Sequence, residues 1–102
     1  MKEEYWRQIL SSLAICFFAR GVYTTDIVVK ELQTVGYDFT ENDLHRIGEE
    51  IHREKYKFKI REGFYFDDFH IPNRIFDTST PIGEFDRDFV LHAVKIIKKK
   101  IS

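Results

Sequence analysis

The chain has 102 residues, with 43% apolar and 32% charged side chains and a formal net charge of −1. That length fits one domain, 1–102, with a single modest core. The near-neutral charge argues against a surface built throughout for nucleic acid. A single cysteine excludes an internal disulfide and any metal or cluster site made by this chain's cysteines alone.

Lys2 to Ala19 reads as a first helix, because Tyr5, Ile9, Leu13, Cys16 and Phe17 recur at three- and four-residue steps. Trp6, Leu10 and Phe18 widen that stripe, so the helix is expected to be buried nearly all round or covered by a partner. Arg20 and Gly21 are its expected end. The apolar run Ile9 to Phe18 is too short to span a bilayer. Its leader carries Glu3 and Glu4 and no Ala-x-Ala site follows, so a cytoplasmic chain, free of membrane, is expected.

Thr24-Thr25-Asp26 offers a cap for a second helix, Ile27 to Val35, ended by Gly36. Ile27, Val28, Leu32 and Val35 form its apolar face. The β-branched run Ile27-Val28-Val29 makes strand a competitor. Thr40 and Asp43 form an acidic capping box for a third helix, and Phe39 with Leu44 forms a hydrophobic staple. Leu44, Ile47, Ile51 and Phe58 continue as its stripe. Lys55 to Arg61 alternates in the manner of a strand, and Gly63 is either a helix terminator or a hairpin turn into Phe64-Tyr65-Phe66. The pattern leaves both open.

Asp67 to Glu84 holds both prolines and reads as a long ordered loop, pinned by Phe69, Ile71, Ile75 and Phe76. A last helix begins at the cap Asp86, with Phe85 and Val90 as a second staple. Val90, Ala93, Val94, Ile97 and Ile101 are its expected buried face. The fold class is therefore all-α: about four helices, with the long loop before the last.

Few residues offer chemistry. Cys16 is either a small apolar side chain in the core or one ligand to a metal or cluster completed by other chains. His45, Glu49 and His52 share one helix face and could hold a divalent cation, but a solvated charged face is the default. His70 and His92 stand in no motif. Lys98, Lys99 and Lys100 suit a helix C-terminus. A winged helix-turn-helix is an alternative architecture. Its groove-facing helix would carry Glu41, Asp43, Glu49 and Glu50, which oppose phosphates.

Several phrases then stand in a distinctive order. They are Gly36-Tyr37-Asp38-Phe39-Thr40, Ile47-Gly48-Glu49-Glu50-Ile51, Arg61-Glu62-Gly63-Phe64, Asp67-Asp68 and Pro72-Asn73-Arg74-Ile75-Phe76. In order and spacing they resemble the carboxy-terminal helical domain of the tungsten-containing aldehyde ferredoxin oxidoreductases. The likeness runs from about Leu10 to the C-terminus and favours helix over hairpin for Lys55 to Arg61. In that family a segment Asp-x-x-Gly-Leu-Cys supplies the fourth cysteine ligand of a [4Fe-4S] cluster and touches a tungsten-bound pterin. The corresponding stretch here is Ser11-Ser12-Leu13-Ala14-Ile15-Cys16, with Ser11 in place of the Asp and Ala14 in place of the Gly. The resemblance thus implies Cys16 as a single cluster ligand, usable only with a partner chain. A [4Fe-4S] cluster takes four thiolates, so neither cluster nor tungstopterin is expected on this chain alone, nor is aldehyde oxidation. The expected partners are a larger oxidoreductase subunit or a second copy of the chain, met through the first helix. A structural module with no redox role is the alternative.

Overall fold

In the computed structural model, residues 1–68 and 70–101 are described. They form five α-helices: α1 (Lys2–Ser12), α2 (Thr25–Thr34), α3 (Glu41–Arg61), α4 (Arg74–Asp77) and α5 (Arg87–Ile101). Single 3-10 turns occur at Phe17–Ala19 and Phe66–Asp68. Among the described residues there is no strand, only an isolated bridge between Thr80 and Gly83. The all-α expectation holds. The chain divides into two compact units, Met1–Lys57 and Phe58–Ser102.

In the first unit, α1 stops at Ser12, seven residues before the predicted end. The Ser12 hydroxyl bonds back to the Gln8 carbonyl at 2.7 Å. The chain then turns left-handed at Ala14, where φ is 57°. Ala14 N–H donates to Ser11 O at 3.1 Å and Ile15 N–H to Leu10 O at 2.9 Å. These two bonds are a Schellman motif, and Ile15 packs beside Leu10 as that motif favours.

α2 and α3 end by the same device. Tyr37 N–H reaches Leu32 O at 2.9 Å past Gly36 at φ 95°. Phe64 N–H reaches Lys59 O at 2.9 Å past Gly63 at φ 96°. Glycine meets no Cβ penalty there, whereas alanine does.

The β-branched run Ile27-Val28-Val29 is helical, inside α2. Its expected cap is altered, because the Thr24 hydroxyl bonds the Asp26 carboxylate instead of a backbone N–H. Val35 is the residue after the helix and lies exposed, off the predicted face. At the start of α3 the capping box is formed. Thr40 N–H donates to Asp43 Oδ2 at 3.0 Å, and Asp43 N–H donates to Thr40 Oγ1 at 3.2 Å.

The core closes around Leu10, Val28 and Leu44, with Trp6, Ile15, Tyr23, Val29, Leu32 and Phe39 packed on them. Nearby, α1 crosses α3 at Gly48. A Cβ on Gly48 would lie 2.4 Å from the Tyr5 carbonyl oxygen and 3.3 Å from Ile9 Cγ1. The glycine in the Ile47-Gly48-Glu49 phrase is there for close helix approach.

Lys55 to Arg61 lies on α3, so the strand alternative fails and the hairpin wing of the helix-turn-helix reading is not formed. The alternation came from basic residues interleaved with Tyr56, Phe58 and Ile60 along about two helical turns that are exposed apart from the half-buried Tyr56. Phe58, placed on the stripe, is 56% exposed.

In the second unit Asp86 caps α5 by accepting the Phe89 N–H at 3.1 Å. Val90, Ala93, Val94, Ile97 and Ile101 are all half-buried, on the predicted face. Phe85, the expected staple, is 54% exposed. The loop contains the one-turn α4, whose Phe76 is the single buried side chain among the described residues of this unit. Arg87 lies 4.3 Å above the Phe76 ring and donates to Asn73 Oδ1 at 3.0 Å. Of the expected pins, Phe76 is buried, Ile71 half-buried and Ile75 exposed. Phe69 lies outside the described residues. No helix among the described residues is long and apolar enough to cross a membrane.

Candidate functional site

The segment after α1 carries the thiol. Once Ala14 has turned the chain, Cys16 adopts an extended backbone, φ −61° and ψ 134°. The next residues close the 3-10 turn Phe17–Ala19, with Ala19 N–H bonded to Cys16 O at 2.9 Å. Cys16 is exposed. The core-thiol reading is therefore corrected. It required a helix through residue 19, and α1 ends before the cysteine.

The surroundings of Cys16 are apolar and cationic. Phe17 is 45% exposed and Phe18 89%. The Phe17 ring has the Arg20 guanidinium 4.1 Å from its centroid and that of Arg7 at 4.8 Å. Arg20 is fixed by a 3.2 Å bond to Phe17 O, and Arg7 by Glu3 at 3.5 Å. Arg7, Leu10, Ser11, Ile15 and Phe17 line a small hollow of about 130 Å³ beside the thiol segment. Ser11 is exposed at its edge. The arrangement offers one soft ligand on an accessible turn, flanked by two aromatic rings that are open to cover.

The His45, Glu49, His52 trio does not assemble. His45 Nε2 approaches Glu41 at 3.6 Å, and Glu49 takes Arg53 at 3.5 Å. His52 is buried, 4% exposed, where a solvated face was expected. Its ring stands edge-on to Tyr5 at 5.3 Å and tilted to Tyr56 at 5.0 Å, with Glu4 3.9 Å from Nε2. Burial raises the pKa of both phenols, with Glu49 adding for Tyr5 and Glu4 for Tyr56. The residues Leu44, Gly48, His52 and Tyr56, four apart, were the signal for this second buried stripe. The gap at Gly48 hid it. Among the described residues no three His, Cys, Asp or Glu side chains come together as a metal site.

The remaining candidates stand apart. His70 and His92 are exposed. Lys98 pairs with Asp67, at the rim of a hollow of about 200 Å³ lined by Ile60, Phe64, Tyr65, Phe66 and Ile101. Its lining is mostly apolar, and its ionisable groups are Asp67, Lys98 and the Tyr65 phenol.

Compared with known families, residues 1–98 match the model described as aldehyde ferredoxin oxidoreductase, domains 2 and 3. No curated protein and no solved structure matches.

Proposed function

This chain belongs to the aldehyde ferredoxin oxidoreductase family, and on that premise we propose that it serves as a helical subunit docked on a larger oxidoreductase chain. Cys16 is the residue it contributes, as one thiolate ligand of a [4Fe-4S] cluster whose other ligands come from outside these 102 residues. The observation that carries this reading is the left-handed turn at Ala14, followed by an exposed thiol two residues on. The turn falls where the resembling family segment has its glycine, so the local backbone is of the kind that segment calls for. The thiol stands clear of the core.

The donor set fits one ligand and no more. An iron–sulfur cluster exchanges electrons singly and takes four cysteine thiolates. This chain has one cysteine. It holds no cluster and no tungstopterin by itself and does not oxidise aldehydes alone. Ser11 lacks the carboxylate of the family segment, so no pterin contact is assigned to it. The exposed rings of Phe17 and Phe18 are suited to exclude water from a cluster once another chain covers them.

Purification of the chain from native extract under anaerobic conditions, with iron and tungsten analysis, tests this. The proposal expects a larger polypeptide in fixed ratio and about four irons per complex. A lone, colourless, metal-free chain would contradict it.

A further inference from the structure

The outer side of α5 carries a short pattern that is complementary to itself. Phe89 and Ile96 are 71% and 40% exposed. They stand seven residues apart, which is two helical turns and a translation of about 10 Å, so they lie on one stripe. The half-buried face of Val90, Val94, Ile97 and Ile101 points elsewhere on the same helix. One position before each stripe residue stands a charge: Asp88 before Phe89, Lys95 before Ile96. These two are also seven apart and opposite in sign. Neither makes an ion pair among the described residues.

We infer that α5 pairs antiparallel with α5 of a second copy of this chain. A two-fold axis near His92 sets Phe89 of each copy against Ile96 of the other. The same axis brings Asp88 of each to within about 3 Å along the helix of exact register with Lys95 of the other, an offset the lysine side chain can span, so both charge pairs form together. Antiparallel packing also brings Lys99 and Lys100 toward the positive end of the other helix, an unfavourable term, but it aligns the two macrodipoles favourably overall. The equal spacing of the apolar pair and the charge pair is what selects a second copy. An unrelated partner has no need of that symmetry. The surface belongs to the second unit alone, so this inference stands or falls apart from the role of Cys16.

The interface is one helix wide, small for a specific contact, and the dimer is expected to dissociate on the order of 100 μM. Sedimentation equilibrium of the full chain from about 20 μM to about 1 mM reads this directly. Asp88→Lys and Lys95→Asp each place like charges at both pairs and should weaken association on the order of tenfold. The double variant Asp88→Lys with Lys95→Asp restores opposite charges and should return to within about threefold of the parent. Phe89→Ser should weaken it by more than either charge variant. Circular dichroism checks that each variant keeps its helices. A chain that stays monomeric across the range overturns the inference. So does a dimer indifferent to the single variants, or a double variant no better than the singles.

Discussion

The two units of the chain use comparable amounts of apolar sequence to different ends. The first closes a core: Leu10, Val28 and Leu44 are each 3% exposed or less, with a second buried stripe through Tyr5, Ile9, Gly48 and His52. Among the described residues the second buries Phe76 alone, while Phe58, Tyr65, Ile82, Phe85 and Phe89 are all more than half exposed. Large apolar side chains left in water forgo roughly 1.5–3 kcal/mol each of burial free energy. The first unit has a core of its own although Phe18, Val22, Val35 and Tyr37 are also more than half exposed, and the second, with one buried side chain among its described residues, has more of its apolar surface left for contacts outside the chain. The lesson is that helix content alone says little about self-sufficiency, since α5 is a well-capped helix with no fully buried residue.

Substitutions should separate the units. The largest effect is expected for Gly48→Ala. Its methyl would stand 2.4 Å from a backbone oxygen of α1, which has no side-chain freedom to yield. The cost should be about 3 kcal/mol or more in chemical denaturation, against about 1 kcal/mol gained in helix propensity. Leu44→Ala should cost about 2–5 kcal/mol by loss of burial and the cavity left. Val94→Ala, on the half-buried face of α5, should cost less than about 1.5 kcal/mol. Equal losses at Leu44 and Val94 would erase the distinction between the units.

Smaller effects sharpen it. Thr40→Ala should destabilise the first unit by about 1 kcal/mol, since it removes one half of the capping box. The Asp43 pKa is lowered, first by the Thr40 N–H and then by its hydroxyl, with Arg46 adding. A depressed carboxylate contributes stability that is complete above the unfolded value of about 3.9 and is lost as pH falls through the lower folded value. Asp26 is lowered in the same sense, chiefly by the Thr24 hydroxyl. The protection of amides at the starts of α2 and α3, measured against their intrinsic exchange rates, should therefore fall in acid, and Asp43→Asn should flatten that response at α3. The smallest expected effect is a gain. Ala14→Gly should stabilise by up to about 1 kcal/mol, because it relieves a left-handed alanine.

Much of this architecture could be read from residues whose chemistry acts locally. The Thr40–Asp43 box, the Gly36 terminator and the Asp86 cap all formed where their residue types placed them, while Gly63, which the pattern left open between terminator and hairpin turn, follows the end of α3. Two features were hidden. Ala14 ends α1 in a conformation that alanine normally avoids, so nothing in its chemistry announced a stop before Cys16. Gly48 interrupts the stripe that buries His52, because the space a side chain would fill is taken by the backbone of α1. The first is a local turn made without its usual glycine and the second depends on tertiary packing, and periodicity carries neither. The candidate site shifted with the first of them. Cys16 was picked out as the one thiol, yet its exposure followed only from the early end of the helix.

The role of Cys16 is tested most directly by the electron paramagnetic resonance spectrum of the reduced native complex, recorded with the parent chain and with Cys16→Ser. The account predicts a [4Fe-4S] signal in the parent, and in the variant a shifted or diminished signal with the larger polypeptide still bound. An unchanged spectrum would place the fourth ligand elsewhere and contradict it.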